Sequence, residues 1–185
     1  MSQPRTTLRQ REDADMPAIC AVFSDPTFVH SAAAGQRFET PAHVQLWLDQ
    51  MGEHGRVEIV ADLEQEVAGF GGLFMGGGNQ SHVGSLVMGV RQEHQRKGIG
   101  TMILRGLIGI ADQILNVHRL QLTVYGDNPV ALRMYLAHGF EIEGLHRAFV
   151  RRDNCYVDTF SMSRVGHVGS DCRGCVTTSE RQAQQ

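Results

Sequence analysis

The sequence is poor in positive charge. Lys97 is its only lysine, and 17 basic residues are outnumbered by 20 acidic ones, which gives a formal charge of −3. A nucleic-acid-binding surface requires a cluster or stripe of Lys and Arg, so we expect no nucleic-acid partner. The chain also lacks the run of roughly 20 apolar residues that crosses a bilayer. Residues 1–12 are polar and lack the hydrophobic region of a signal peptide. We therefore expect a cytoplasmic protein with no membrane partner.

Cysteine is also scarce, with four residues in the chain. Cys20 and Cys155 stand alone in segments patterned like a helix and a strand, which is typical of small core residues. Cys172 and Cys175 form one CxxC pair, whereas zinc sites usually combine two such pairs or add a His pair at matching spacing. We therefore expect reduced thiols and no metal site.

Length and periodicity predict one domain over residues 1–165, followed by a disordered tail over residues 166–185 that is rich in Gly, Ser, Thr and Gln. Residues 24–39 show no clear period. The element order β-α-α-β-β-β-α-β-α-β-β places helices after central strands and predicts a mixed α/β sheet. The predicted strands are 6–11, 57–61, 67–75, 82–90, 119–125, 140–150 and 156–164, and the predicted helices are 13–23, 40–51, 98–115 and 129–138.

The stretch GVRQEHQRKGIGTM, residues 89–102, joins a predicted strand to a predicted helix through a polar and basic loop. Gly98 and Gly100 leave room for main-chain N–H groups to approach an anion, the helix start favours negative charge, and Lys97 adds a cation. The stretch lacks the GxxxxGK[ST] pattern of a Walker loop. The third glycine of a GxGxxG dinucleotide fingerprint is misplaced. A phosphate site of another kind is therefore predicted.

The same loop fits the pattern Q/R-x-x-G-x-G/A, and it resembles the pyrophosphate loop of the GNAT superfamily of N-acetyltransferases. A second segment, TVYGDNPVALRMYLAHGFEIEG, is similar to another signature of that superfamily. It matches through Val124, Asn128, Ala131, Tyr135, Gly139 and Phe140. Residues 118–165 resemble bacterial L-amino-acid N-acetyltransferases, near the phosphinothricin-type and ribosomal-protein-type branches. The resemblance covers roughly residues 8–165 and omits the tail.

The resemblance implies a mixed, mostly antiparallel seven-stranded sheet with about four helices, splayed between strands 4 and 5. It implies acetyl-CoA as co-substrate and direct attack of an amine on the thioester. A main-chain N–H at Met88 or Val90 would polarise the thioester carbonyl, and Tyr135 would act on the leaving thiolate, chiefly by hydrogen bonding. The cofactor-binding residues implied are Met88, Gly89, Val90, Gln95, Arg96, Lys97, Gly98, Ile99, Gly100, Thr101, Asn128 and Tyr135.

The general base and the acceptor stay open at this point. The predicted fourth strand carries no carboxylate, so His82 and Ser85 are the candidate bases, and a low-pKa α-amine deprotonated through water is the alternative.

Arg37 or Arg147 could bind the carboxylate of an amino acid. The acceptor candidates are His30, Arg37, Phe38, Glu39, Tyr156 and Asp158. An amino acid or another small primary amine is the expected acceptor; a protein α-amino acetyltransferase and a non-catalytic acyl-CoA-binding sensor are the alternatives. Members of the superfamily often form homodimers, which this sequence does not decide.

Overall fold

A computed structural model describes residues 5–31, 38–152 and 154–166 of the chain. Arg37 and the tail with Cys172 and Cys175 lie outside the described residues. The strands are β1 (Thr6–Gln10), β2 (Arg56–Leu63), β3 (Glu66–Met75), β4 (Val83–Val90), β5 (Arg119–Tyr125), β6 (Glu141–Arg152) and β7 (Cys155–Val165). The α-helices are α1 (Met16–Ser24), α2 (Pro26–Ser31), α3 (Pro41–Met51), α4 (Ile99–Gln113) and α5 (Pro129–Leu136).

The seven strands form one sheet in the order β1-β2-β3-β4-β5-β7-β6. Every neighbouring pair is antiparallel except β4 and β5, which run parallel. These two strands pair only between Val83–Ser85 and Arg119–Gln121 and then diverge. The mixed seven-stranded sheet and its splay between strands 4 and 5 are therefore confirmed.

Helices cover both faces of the sheet. On one face α4 packs closely on β3, where Gly71 leaves the space that Ile103 and Leu107 fill. On the other face α1 and α3 pack on the sheet through a core that contains Phe23, Leu48 and Phe70. None of the helices described is both long and apolar enough to cross a bilayer.

Two sequence-based expectations need correction. A short helix, α2, lies within the segment that shows no period, so the described residues contain five α-helices where about four were expected. Asp25 precedes α2 and accepts a hydrogen bond from the Thr27 N–H, and Pro26 is the first residue of the helix. The capping residue and the proline therefore stabilise this short helix, although it has no repeating apolar face. Cys20 is buried as expected, whereas Cys155 is exposed at the start of β7 and is not a core residue.

Candidate active site

The divergence of β4 and β5 opens a cleft of about 430 Å³. Met51 at the end of α3 reaches it from one sheet face, and Tyr135 of α5 reaches it from the other. The cleft therefore connects the two faces through the sheet. Its lining residues are Met51, Ser85, Leu86, Val87, Met88, Arg119, Gln121, Leu122, Thr123, Tyr135, Glu143, Ser161 and Met162.

The main chain of Met88 points into this opening. Met88 lies opposite Gly71 in the register of β3 and β4, and the Arg91 N–H donates to the Ala68 carbonyl three positions further along the same ladder. Hydrogen-bonded and non-hydrogen-bonded pairs alternate along an antiparallel ladder. The Met88 pair is therefore a non-hydrogen-bonded one, and its N–H and C=O face away from β3, toward the side where β5 has diverged.

Tyr135 lies on α5 at the opposite wall of the cleft. Asn128 begins α5 by accepting a hydrogen bond from the Ala131 N–H at 3.1 Å, and Pro129 follows it. Tyr135 is seven residues further on the same helix face, about 10.5 Å along the axis. Its ring packs against Phe140, with 5.7 Å between the ring centroids. Burial raises the pKa of Tyr135 to about 12, so the phenol is neutral at physiological pH.

The loop between β4 and α4 leaves its main chain exposed at a helix start. Gly98 precedes α4 with a φ of +82°, and Arg96 adopts a φ of +60°. Ile99 fixes the start of the helix in the core, with 2% of its surface exposed. The preceding residues 95–98 are exposed, and a Cβ added at Gly98 would meet no other atom within 4 Å. Unpaired N–H groups at such a start form a site for phosphate.

Helix α2 links this loop to the opposite side of the cleft. The Gln92 N–H donates to Asp25 at 2.8 Å, and the Gln95 amide donates to Thr27 at 2.8 Å. At the other end of α2, Arg152 of β6 donates to the carbonyl of His30 at 2.5 Å. Arg152 also forms an ion pair with Asp127, next to the residue that caps α5. The short helix therefore bridges the open end of the divergence.

A polar surface lines the cleft on the side of α3. The Gln121 amide donates to the Ser85 hydroxyl at 3.2 Å, joining β5 to β4 where the pairing ends. Arg119 and Glu143 form a two-bond ion pair, one bond of which is 2.7 Å, and Ser163 donates to the same carboxylate at 2.6 Å. The hydrogen bonds from Arg119 and Ser163 lower the pKa of Glu143 to about 2.

Residues 18–140 match the sequence profile described as the acetyltransferase (GNAT) family. The chain belongs to this family. It is 30% identical over 122 residues to L-amino acid N-acetyltransferase AaaT of Escherichia coli (strain K12), an alignment covering 65% of this chain and 75% of that protein.

Solved GNAT structures share the fold. A phosphinothricin acetyltransferase (Pat) from Sinorhizobium meliloti, in complex with AcCoA, superposes with a TM-score of 0.79 at 22% identity over 94% of each chain. A ribosomal-protein-alanine N-acetyltransferase from Brucella melitensis superposes with a TM-score of 0.75 at 23% identity, covering 86% of this chain and 99% of that chain. Because the chain belongs to the GNAT family, it is an acetyl-CoA-dependent N-acetyltransferase.

The structure separates the candidate base His82 from the GNAT cleft. His82 precedes β4 at the closed end of the divergence and is exposed. Its carbonyl accepts hydrogen bonds from the N–H groups of His118 and Arg119, and its ring lies 6.2 Å from the ring of His118. Ser85, the other candidate, does line the cleft. Of these two candidates, only Ser85 lines the same cleft as Met88 and Tyr135.

The described acceptor candidates also lie away from the cleft lining. Phe38 is buried in an aromatic cluster, 5.2 Å from the ring of Phe23. Asp158 accepts a hydrogen bond from the Ala148 N–H at 2.7 Å and holds an irregularity of the β6–β7 ladder. The others are exposed: His30 on α2, Glu39 before α3, Arg147 on β6, and Tyr156 on β7 with 70% of its surface accessible.

The residues that do line the α3 side of the cleft were missed by sequence reasoning. Arg119, Gln121 and Thr123 alternate along β5, whereas Leu120, Leu122 and Val124 between them pack into the core of α4. This alternation was a usable signal, because it places three polar side chains on one strand face. Their exposure to a cleft depends on where β5 leaves β4, which the local sequence does not encode.

One group of possible metal ligands lies beside the phosphate loop. Ligand atoms of Glu66, Glu93 and His94 lie within 4.8 Å of one another. Arg91, however, pairs with both carboxylates at 2.5 Å. Its guanidinium occupies oxygen atoms of both carboxylates and offsets one of their two negative charges.

Proposed function

We propose that the protein transfers the acetyl group of acetyl-CoA to the primary amine of an amino acid by direct attack. The observation that carries this proposal is the convergence of the Met88 main chain and the Tyr135 side chain on one cleft that reaches both sheet faces. The similarity to an L-amino acid N-acetyltransferase supports the acceptor class. The cytoplasmic location expected from the sequence stays a prediction, and the homodimer that is common in the superfamily stays undecided.

The residues around the cleft suit acetyl-CoA, which supplies the acetyl group as a reactive thioester. The main chain of residues 95–101 at the start of α4, of which residues 95–98 are exposed, would hold the pyrophosphate, with the side chains of Arg96 and Lys97 beside it. The main chains of Met88 and Val90 would face the pantetheine arm along the edge of β4 that β5 leaves uncovered, with Gly89 between them paired to Phe70 of β3. Asn128 would contact the arm at the start of α5.

Met88 and Tyr135 would stabilise the charges that develop during transfer. The Met88 N–H is positioned to donate to an oxyanion, and one such donor contributes about 3 kcal/mol of transition-state stabilisation. With a Tyr135 pKa of about 12 and an ordinary thiol pKa near 8.5, complete proton transfer to a thiolate would be uphill by about 5 kcal/mol. Tyr135 therefore acts as a hydrogen-bond donor to the leaving sulfur and remains protonated.

The acceptor amine must lose its proton without a strong base in the cleft. Among the described lining residues, only Arg119 and Glu143 carry charge at neutral pH. A carboxylate whose pKa is about 2 is a very weak base, and His82 lies outside the lining. The amine is therefore deprotonated before binding or through water, which favours acceptors with a moderate amine pKa.

Charge in the cleft favours an amino acid over a polyamine. Arg119 and Glu143 pair with each other, so the described lining has no net charge. A polycation would require several unpaired carboxylates, whereas a zwitterion requires one group of each sign. The cleft volume of about 430 Å³ is also in the range of small-molecule sites.

Release of free thiol from acetyl-CoA tests the proposal when it is measured against L-amino acids, polyamines, aminoglycosides and peptides with free N-termini. We expect the highest kcat/KM with one or more L-amino acids, and mass spectrometry should find the acetyl group on the α-nitrogen. Faster turnover of peptide N-termini would instead support a protein α-amino acetyltransferase. Tight binding of acetyl-CoA with no thiol release from any amine would contradict the proposal.

A further inference from the structure

Arg119 is the one cationic side chain among the described residues that line the cleft. It begins β5 opposite Val83, where the two central strands still pair. Its side chain shares a strand face with Gln121 and Thr123, on the side of the sheet that α3 covers, whereas Leu120 and Leu122 face the core of α4. Arg119 therefore lies on the α3 side of the sheet, at the closed end of the cleft.

The guanidinium is held in place and still has hydrogen atoms to donate. Its two terminal nitrogens each donate one bond to Glu143, and its Nε lies 3.5 Å from the Gln121 amide oxygen. A terminal guanidinium nitrogen carries two hydrogens, so one N–H on each remains for a ligand. Only 28% of the Arg119 side chain is exposed, so its position is fixed by packing as well as by pairing. The end-on fork is bonded to Glu143, and each remaining N–H can donate one further charge-assisted hydrogen bond to a carboxylate.

The distance from Arg119 to the reacting groups suits an amino acid. Arg119 itself lies opposite Val83, five residues before Met88, but its Nε lies beside the Gln121 side chain. Gln121 pairs with Ser85, which is three residues before Met88 and therefore about 10 Å away along β4. A molecule with its amine beside Met88 and an acidic group toward Arg119 spans this distance when it forms a hydrogen bond at each end. Ser85 and Gln121 supply further polar contacts between the two positions.

We propose that Arg119 binds a carboxylate of the acceptor and that Glu143 holds the guanidinium in place for this contact. The inference rests on the proposed function and adds to it the residue that selects amino acids over simple amines. Either the α-carboxylate or a side-chain carboxylate presents the required chemistry, and the experiment distinguishes the two. Arg119 is thus a binding residue, and Glu143 is its positioning residue.

Matched pairs of acceptors isolate the carboxylate. L-Leucine is compared with 3-methylbutylamine, and L-phenylalanine with phenethylamine, since each amine lacks only the α-carboxylate. L-Glutamate is compared with L-glutamine, which lacks only the side-chain charge. The preference for the acid is the ratio of the two kcat/KM values. Differences in amine basicity cancel when this preference is compared between wild type and variant.

Arg119→Gln should reduce the preference for the acid about 10- to 100-fold, mainly through KM, because a hydrogen bond to a charged group contributes about 1.5–3 kcal/mol. Glu143→Gln should also reduce the preference, but less than Arg119→Gln does, because the guanidinium remains and is held by fewer hydrogen bonds. Loss of the preference in the leucine and phenylalanine pairs assigns the contact to the α-carboxylate. Loss of the preference for glutamate over glutamine alone assigns the contact to the side-chain carboxylate of the acceptor.

Arg164→Gln is the matched control. Arg164 forms a two-bond ion pair with Asp112 at 2.8 Å that resembles the Arg119 pair, but it does not line the cleft. Its substitution should leave the preference unchanged. An Arg119→Gln enzyme that loses activity equally on acids and amines would overturn the carboxylate contact while leaving the acetyltransferase reaction intact. A wild-type enzyme that releases no thiol with any amine would overturn the proposed function and this inference with it.

Discussion

Tyr135 combines a cleft-facing side chain with a ring that belongs to the core. Tyr135→Phe keeps the ring against Phe140 and removes only the hydroxyl. We expect kcat to fall about 10- to 100-fold, since a hydrogen bond to a charged group contributes about 1.5–3 kcal/mol. KM for acetyl-CoA should change little. Steady-state kinetics together with a thermal melt would separate the loss of a hydrogen bond from a loss of folding.

The same substitution at Tyr156 provides a comparison, because this tyrosine is 70% exposed on β7 and does not line the cleft. Tyr156→Phe should leave kcat within about twofold of wild type, as surface substitutions away from special contacts have small effects. A Tyr135→Phe enzyme with wild-type kcat would remove the phenol from the mechanism. A loss at Tyr156 would restore the prediction that this residue contacts the acceptor.

Gly98 and Gly100 have different requirements although they are two residues apart. Gly98 adopts a φ of +82°, so Gly98→Ala places a Cβ in a region that costs roughly 1–2 kcal/mol. At Gly100 the added Cβ would lie at ordinary contact distance, 3.7 Å from Met134. We expect Gly98→Ala to raise KM for acetyl-CoA and Gly100→Ala to leave it within about threefold. Steady-state kinetics at varied acetyl-CoA concentration measure both KM values; equal increases would contradict this assignment of the phosphate loop.

The pH dependence of kcat/KM should follow the acceptor and not the enzyme. Tyr135, with a pKa raised by burial to about 12, stays protonated, and Glu143, with a pKa lowered by its hydrogen bonds to about 2, stays ionised from pH 6 to 9. Exchanging the acceptor for one with a higher amine pKa should move the inflection by about one pH unit for each unit of amine pKa. An inflection near pH 6.5 that is the same for every acceptor would instead indicate a histidine base such as His82.

Helix α4 lies close to β3 because glycines leave space for it. A Cβ added at Gly71 would lie 2.4 Å from Ile103 and 3.0 Å from Leu107. Gly71→Ala should therefore lower the free energy of unfolding by about 1–3 kcal/mol through overpacking. Gly109→Ala is the control on the same helix, since its Cβ would meet nothing within 4 Å. It should stabilise the protein by about 0.5–1 kcal/mol. Urea unfolding measures the change in the free energy of unfolding for each variant. A change of the same sign in the two variants would contradict this packing.

The elements differ in how far local sequence determines them. The segment from β4 to α4 could be predicted because an apolar strand, a glycine-containing loop and a helical period follow one another within 31 residues. The short helix α2 could not be predicted, since six residues are too few to show a helical period. Phe38 was predicted to contact the acceptor because it lies in the irregular segment between the first two predicted helices. It is buried because Phe23 of α1 and Trp47 of α3 enclose it.

The proposed acceptor surface, which comprises Ser85, Arg119, Gln121 and Glu143, depends on the arrangement of the whole sheet. Three register pairs join β4 to β5, and beyond them the two strands are held apart by what packs on either side. Arg119 reaches Glu143 across β7, so the surface combines β4, β5 and β6. No local pattern specifies such a combination. The phosphate loop, by contrast, lies within one continuous segment, and this is why the cofactor could be predicted and the acceptor residues could not.

Acid stability should depend on an ion pair far from the cleft. Asp15, just before α1, accepts two hydrogen bonds of 2.7 Å from Arg9 of β1, and its side chain is 9% exposed. The hydrogen bonds from Arg9 lower the pKa of Asp15 against the opposing effect of burial. A carboxylate with a lowered pKa in the folded state contributes stability above its unfolded pKa near 3.9, and this stability is lost as the pH falls further.

Asp15→Asn should therefore lower the free energy of unfolding at pH 6 by about 2 kcal/mol, the contribution of hydrogen bonds to a charged group. At pH 3 the difference from wild type should be smaller, because the wild-type carboxyl is then partly protonated. Urea unfolding at the two pH values measures this. Asp49→Asn is the control: Asp49 pairs with Arg56 on the surface, with 52% of its side chain exposed, and such pairs contribute little at either pH. A deficit of Asp15→Asn that stays constant from pH 6 to pH 3 would show that the side chain contributes through packing and not through its charge.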